Sequence, residues 1–421
     1  MKICLLCYRG NKYCGGQGIY LYYLSRELVR QGHEVDVMVG PPYADVPEGV
    51  REFRLESLNL YDRRHDGRNP LHGKSPYGLL SPFNLFEFGG NKLGMFPEML
   101  TFSLRAYRQI YELLPTHRYD VVHDNQCLAY GLLLMKSLGI PVVATIHHPL
   151  PIDTRADLAQ ESRPWKRFRQ LLLYPPLMQG MVARRLDAII TDSDSSIREI
   201  ERAFRVPRQR MRRVYLGIDT DVFKNVDGHR SVEAADGSRK WRLIMVGRTS
   251  DRKKGVLYLL RAMRLLKNDR VPVRLSIVDE IEKNDTYAAD LVAEYGIGDM
   301  VEFTGRLLPE ELVSKYSESD IAVTASVYEG FGLPAAEAMA CGVPVVATGT
   351  GALPEVVGRD GCCLLVPPRD PQALAEAIKR LIGDEQLSRS MAVAGRQRIE
   401  TLFSWEQAAK QIVEVYREVI G

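Results

Sequence analysis

The amino-acid sequence predicts an α/β fold made of two doubly wound parallel sheets in series. Short apolar runs of strand length alternate with amphipathic, helix-like stretches through most of the 421 residues, the pattern of parallel sheets covered by helices on both faces. The chain is also two to three times as long as a domain of about 150 residues. Finally, the alternation stops at 224–239, where Asn225, Asp227, Gly228, Asp236 and Gly237 show no apolar periodicity, as suits an exposed linker.

Taken in order, Ile3-Cys4-Leu5-Leu6-Cys7 lies in a first buried strand at 2–8, and Cys14-Gly15-Gly16-Gln17-Gly18 opens a helix at 18–31. Strands follow at 34–39, 51–54, 120–123, 141–146, 187–191 and 211–215, with a helix at 126–138 among the connections. Beyond the linker they recur at 242–247, 273–278, 300–303, 320–325, 343–347 and 362–365. Two domains result, 1–223 and 240–403. The tail carries Ala408, Ile412, Val413, Val415, Tyr416 and Val419 at helical spacing, so a helix at about 404–421 must cover some sheet, with the first domain open to it. Segment 57–100 interrupts the pattern with many Gly, Pro and aromatic residues, and so long an irregular stretch is more often functional or mobile than merely connecting.

Composition narrows the classes. At 45% hydrophobic and 26% charged, with no run approaching roughly 18 consecutive apolar residues, the chain reads as an ordinary soluble protein without a membrane anchor. Its start is too short an apolar run for a signal peptide, which predicts a cytoplasmic location. A net charge of +3 gives little reason to expect nucleic acid. Seven scattered cysteines favour reduced thiols. Cys4 and Cys7 face opposite sides of a strand, and Cys362-Cys363 fill another.

Chemistry concentrates after strand 320–325. Val327-Tyr-Glu-Gly-Phe-Gly-Leu333 forms the loop at its carboxyl end, and Pro334 suits the first turn of a helix through Glu337. Ligands bind at such junctions in open α/β sheets, and first-turn N–H groups receive phosphate or sugar oxygens. Glu329 and Glu337 are thereby offered to one cleft, although a solvated loop carboxylate and a charge near a helix start would look the same in isolation. A basic loop, Arg248 with Lys253-Lys254-Gly255, follows strand 242–247. Pro141-Val-Val-Ala-Thr-Ile-His147-His148 runs off a strand of the first half.

Glu329-Gly-Phe-Gly-Leu-Pro-Ala-Ala-Glu337, followed by Ala-Met-Ala-Cys-Gly342-Val-Pro, closely resembles the E-x7-E signature of glycosyltransferase family 4, retaining enzymes of the GT-B architecture in which two Rossmann-like domains face a central cleft. The resemblance implies a nucleotide-sugar donor, UDP- or GDP-linked, a hydroxyl acceptor on a glycan, lipid or small molecule, and no metal or other cofactor. It assigns Glu337 to the ribose hydroxyls and Glu329 to the reacting carbon. Backbone N–H groups around Phe331, Gly332 and Leu333 would meet the sugar or diphosphate. Arg248 and Lys254 would offset the charge of the leaving diphosphate, with Lys253 the competing neighbour. Thr145-Ile-His147 matches the family's Thr-x-His and would place His147 at the donor sugar, His148 being its rival.

Gly15, Gly16 and Gly18 resemble the family's first glycine-rich loop, and Phe303-Thr-Gly305-Arg306 is a further match that adds Arg306 to the donor side. The first domain is then the acceptor side and the second the nucleotide-sugar side. Asp192-Ser-Asp194 and Asp219-Thr-Asp221 look like metal-binding triplets, but such triplets arise by chance, and Asp194 suits a helix cap. Two departures from the family are Asp279-Glu-Ile-Glu-Lys in place of a glycine-rich turn, and Leu216 in place of an asparagine.

Arg63, Arg64, His65, Arg68 and Lys74 precede Phe83, Phe86, Phe88 and Phe96, and Arg163-Pro-Trp-Lys-Arg-Phe-Arg169 mixes the same residue types. Such mixtures grip a lipid-linked acceptor or an anionic membrane surface, or else are loop core with solvated charges. The rival functions are a sugar-nucleotide-binding protein that has lost transfer, and a phosphorylase or epimerase on the same architecture.

Overall fold

A computed structural model describes residues 1–10, 16–60, 81–93, 96–147, 149, 176–224, 240–279, 286–359 and 361–421. Gly15, Arg63, Arg64, His65, Arg68, Lys74, His148, the 163–169 segment and the linker residues 225–239 lie outside the described residues. The chain divides into two compact units. One comprises Met1–Asp192, Ser196–Val214 and Ala408–Gly421, the other Ser193–Ser195 and Tyr215–Gln407.

The first unit holds a parallel sheet of β1 (Lys2–Cys7), β2 (Glu34–Val39), β3 (Val50–Arg54), β4 (Val121–Asn125), β5 (Val142–Thr145), β6 (Ala188–Thr191) and β7 (Met211–Arg213), in the order β3-β2-β1-β4-β5-β6-β7. Strands β5 and β6 are buried at every residue, which is why they read as continuous apolar runs rather than alternating ones, whereas the equally buried β4 ends in the polar His123-Asp124-Asn125. Helix Glu98–Leu113 covers the sheet with Met99, Phe102, Ala106 and Ile110, spaced three and four apart on one face. Strand order reverses between β1 and β4, so the carboxyl ends of these two strands flank the crevice where such sheets take ligands.

The last helix, Trp405–Ile420, buries Ala408, Ile412, Val415 and Tyr416. Tyr416 is fixed by a polar chain inside the first unit. Its hydroxyl meets His123 Nδ1, His123 Nε2 meets Thr145 Oγ1 at 2.7 Å, and Thr145 Oγ1 meets the Tyr20 hydroxyl at 2.8 Å. Burial, with His147 nearby, pushes His123 down to about 3, so its imidazole is neutral and each nitrogen has one role.

The described part of segment 57–100, residues 57–60, 81–93 and 96–100, is more regular than the composition predicts. Residues Pro82–Lys92 form a helix despite Gly89 and Gly90, and Glu87 explains why. This fully buried carboxylate accepts from the Leu58 N–H at 2.9 Å and the Thr101 hydroxyl at 2.5 Å, and pairs with Arg105. A long-range anchor of that kind leaves no local sequence period.

In the second unit β8 (Trp241–Val246), β9 (Val273–Val278), β10 (Val301–Phe303), β11 (Ile321–Thr324), β12 (Val345–Thr348) and β13 (Leu364–Val366) form a parallel sheet ordered β10-β9-β8-β11-β12-β13. Its order reverses between β8 and β11. Helices Pro371–Gly383 and Glu385–Leu402 flank the sheet, each started by an aspartate: Asp370 accepts from the Ala373 N–H and Asp384 from the Leu387 N–H, both at 2.9 Å.

Candidate active site

The loops leaving β8 and β11 meet at the switch point of the second sheet. After β8, the Thr249 N–H donates to Asp279 Oδ2 at 2.7 Å, so the first residue after β9 ties down the loop holding Arg248. Asp251 accepts from the Lys253 N–H and starts a single turn, Arg252–Lys254. Gly255 ends it with φ +68°, and a Cβ there would lie 2.0 Å from the Ala325 carbonyl oxygen, so only glycine permits the approach. The Val327 N–H then donates to the Lys253 carbonyl at 2.7 Å, locking the two loops together.

That lock delivers Lys254 to Glu329. The ammonium donates to Glu329 Oε2 at 2.8 Å and Oε1 at 3.1 Å, and the Ser326 hydroxyl donates to Oε2 at 3.0 Å. Both side chains are mostly buried, 24% and 11% exposed. The backbone of Glu329 is held as well. Its carbonyl accepts from the Ala352 N–H at 3.0 Å, and a Cβ on Gly351 would come within 2.0 Å of that carbonyl oxygen. Of the two neighbouring lysines, Lys254 therefore supplies its ammonium and Lys253 its main-chain carbonyl. Arg248 is exposed, and its guanidinium has no ion-pair partner among the described residues.

Past Glu329 the chain enters helix Leu333–Ala340 through Gly332. The N–H groups of Phe331, Gly332 and Leu333 have no hydrogen-bond acceptor among the described residues, whereas the Phe331 ring turns inward against Phe403. Four residues into the helix, Glu337 accepts from the Tyr316 hydroxyl at 3.2 Å. Burial pushes its carboxyl up to about 7, only partly offset by that hydroxyl. Across the two loops and the first turns of the helix the unit thus offers N–H donors, a cation paired with a carboxylate, an exposed arginine on the β8 loop, and a half-buried carboxyl able to accept hydroxyl hydrogen bonds. Arg306 stands apart, exposed beyond the end of the edge strand β10.

In the first unit His147 follows β5. Its N–H donates to Gln126 Oε1 at 2.7 Å, its Nε2 lies 3.0 Å from Asn125 Oδ1, and its Nδ1 lies 3.5 Å from Asp192 Oδ2. Tyr20 sets its ring edge-to-face against the imidazole, 5.0 Å between centroids. Gly16 begins helix Gly16–Arg30 and Gly18 is buried in its first turn, while the Gln17 carbonyl accepts from the Asn125 amide at 2.9 Å. The metal-like triplets have other work: Asp192 faces His147, Asp194 opens helix Asp194–Phe204, and Asp219 accepts from the N–H groups of Asp221 and Val222 in a turn. Sequence reasoning missed Asn125, Ser326, Asp279 and Tyr316; the partners of Asn125, Asp279 and Tyr316 depend on tertiary placement, whereas Ser326 meets Glu329 three residues on in the same loop. Only Asp279 carried a signal, as a departure from the family's glycine-rich turn.

Comparison with known proteins decides the family. Residues 14–222 match the model of Glycosyltransferase Family 4, and residues 231–398 match that of Glycosyl transferases group 1. Over 429 aligned residues the chain is 39% identical to MMP alpha-(1->4)-mannosyltransferase of Mycolicibacterium hassiacum, covering 100% of this chain and 99% of that one. The chain belongs to glycosyltransferase family 4. This glycosyltransferase is also 29% identical over 415 residues to D-inositol 3-phosphate glycosyltransferase of Geodermatophilus obscurus, across 96% of its own length and 84% of the relative's. Sucrose-phosphate synthase from Thermosynechococcus elongatus matches it with a TM-score of 0.71 at 24% identity, covering 100% of this chain and 99% of that one, and shows the GT-B fold. The glycosyltransferase therefore moves a sugar from a nucleotide-sugar donor to an acceptor. No helix among the described residues is long and apolar enough to cross a membrane.

Proposed function

We propose that this glycosyltransferase transfers a hexose from a UDP- or GDP-sugar to a hydroxyl acceptor, with retention at the anomeric carbon and without a metal ion. The observation that carries the reading is the Lys254–Glu329 pair, followed in the chain by N–H groups at a helix start that have no acceptor among the described residues, with an exposed Arg248 on the loop that holds Lys254. Breaking the sugar–phosphate bond develops negative charge on the leaving diphosphate. Lys254 and Arg248 supply fixed positive charge to meet it, and the N–H groups of Phe331, Gly332 and Leu333 supply dipoles. Glu329 carries the complementary charge for a reacting carbon that turns cationic. Glu337 accepts the ribose hydroxyls, and the family resemblance assigns Arg306, Gly15, Gly16 and Gly18 to the donor as well. The family resemblance likewise assigns His147 to the donor sugar.

The relative named a mannosyltransferase makes mannose the first sugar to test. A thermal-shift panel of sugar nucleotides tests the donor reading, because a ligand that binds the folded state raises the melting temperature. A rise with a UDP- or GDP-hexose is expected, and no rise with any member rejects it. A cytoplasmic enzyme meeting a lipid-linked acceptor at the membrane is a second reading, favoured by the exposed Leu85, Phe86 and Leu93. It predicts pelleting with anionic liposomes that weakens with salt, and its absence at low salt would reject it.

A further inference from the structure

His147 is enclosed by acceptors. Asn125 donates its Nδ2 to the Gln17 carbonyl at 2.9 Å and to the Cys7 sulfur at 3.5 Å, which fixes the amide so that Oδ1 faces the histidine. At 3.0 Å, His147 Nε2 must then donate to that oxygen. On the other side of the ring, Asp192 is 2% exposed and receives the Ser196 hydroxyl on Oδ1 at 3.0 Å, so that its Oδ2 faces His147 Nδ1 at 3.5 Å. A neutral ring with its proton on Nε2 would set the lone pair of Nδ1 against this carboxylate. A ring with an N–H at both nitrogens satisfies both oxygens, and only the imidazolium has two.

We propose that Asp192 is a positioning residue for His147: with Asn125 it holds the imidazole with an N–H on each nitrogen, so that His147 serves the reaction as a fixed cation and not as a proton acceptor. Asp192 stands in the Asp192-Ser-Asp194 triplet, whose spacing imitates a metal motif, and its orientation toward His147 gives that carboxylate a different task. The consequence for transfer rests on the glycosyl-transfer reading, whereas the state of the ring does not.

The test is long-range proton–nitrogen NMR on 15N-labelled protein at neutral pH, with the His147 signals assigned by their loss in His147→Gln. Both ring nitrogens are expected in the protonated range in the wild type. In Asp192→Asn, Nδ1 should move to the unprotonated range while Nε2 stays protonated on Asn125. An unprotonated nitrogen in the wild type, or an unchanged ring in Asp192→Asn, overturns the proposal. The wild-type spectrum alone decides it if the variant does not fold. In turnover, Asp192→Asn should lower kcat about tenfold and add nothing in the His147→Gln background, because neighbours acting through one group are not additive. Independent, multiplying losses would show a merely structural carboxylate. The NMR measurement needs no turnover, so it stands even where the transfer reading fails.

Discussion

Glu337→Gln isolates the carboxyl whose burial raises it to about 7. Ribose hydroxyls donate hydrogen bonds, so they bind the ionised form, and the free protein must deprotonate Glu337 to accept them. With a value of about 7, roughly one molecule in eleven is ionised at about pH 6 and ten in eleven at about pH 8. Apparent affinity scales with the competent fraction, so the dissociation constant of a nucleoside diphosphate should rise about tenfold from about pH 8 to about pH 6, or about 1.4 kcal/mol. The protonated form favours folding in the opposite sense. The raised value contributes stability that is full below the ordinary 4.5 and is lost as pH rises through about 7. Isothermal titration calorimetry across that range, in two buffers of different ionisation enthalpy, reads both the affinity and the proton released. The diphosphate itself titrates near pH 6, and Glu337→Gln subtracts it. A wild-type slope no steeper than that of Glu337→Gln would refute the reasoning.

Lys254→Ala removes a cation and leaves Glu329 mostly buried with only the Ser326 hydroxyl, so kcat should fall by roughly a hundredfold, read in a donor-turnover assay. Gly255→Ala would place a methyl 2.0 Å from the Ala325 carbonyl oxygen at φ +68°. A loss of about 1–3 kcal/mol in denaturant melts should follow, with a drop in turnover as Lys254 shifts. Tyr416→Phe strips the hydroxyl from His123 Nδ1 in the buried chain to Tyr20 and should cost about 1–3 kcal/mol in the same melts. Because His123 is neutral down to about 3, that cost should not change between about pH 5 and pH 8.

The sheets were legible because they are buried on both faces. Val142–Thr145 and Ala188–Thr191 leave no polar interruption, and even the short edge strand Val301–Phe303 falls inside its predicted run. The helix at Pro82–Lys92 was not legible, since what orders it is Glu87 meeting Leu58 and Arg105 across sequence. The candidate site divides along the same line. Glu329, Glu337, Lys254 and Arg248 announce themselves by local spacing after strands. That Lys254 grips Glu329, or that Asp279 holds the Thr249 N–H, depends on β8 lying between β9 and β11, a neighbourhood no local pattern encodes. Asp192 shows the limit of a local pattern, since its triplet reads as a chance metal-like spacing and nothing local foretells that its side chain faces a histidine.

The central claim is retaining transfer with Glu329 at the reacting carbon and Glu337 at the ribose. Its most direct test is the configuration of the sugar released from a bound hexose donor, read by proton NMR before the product mutarotates. The retained anomer should appear with the wild type. Glu329→Gln should abolish it while nucleotide affinity, measured by calorimetry, stays within about twofold of wild type. An inverted anomer, or a Glu329→Gln protein that has lost the nucleotide rather than the turnover, would contradict the account.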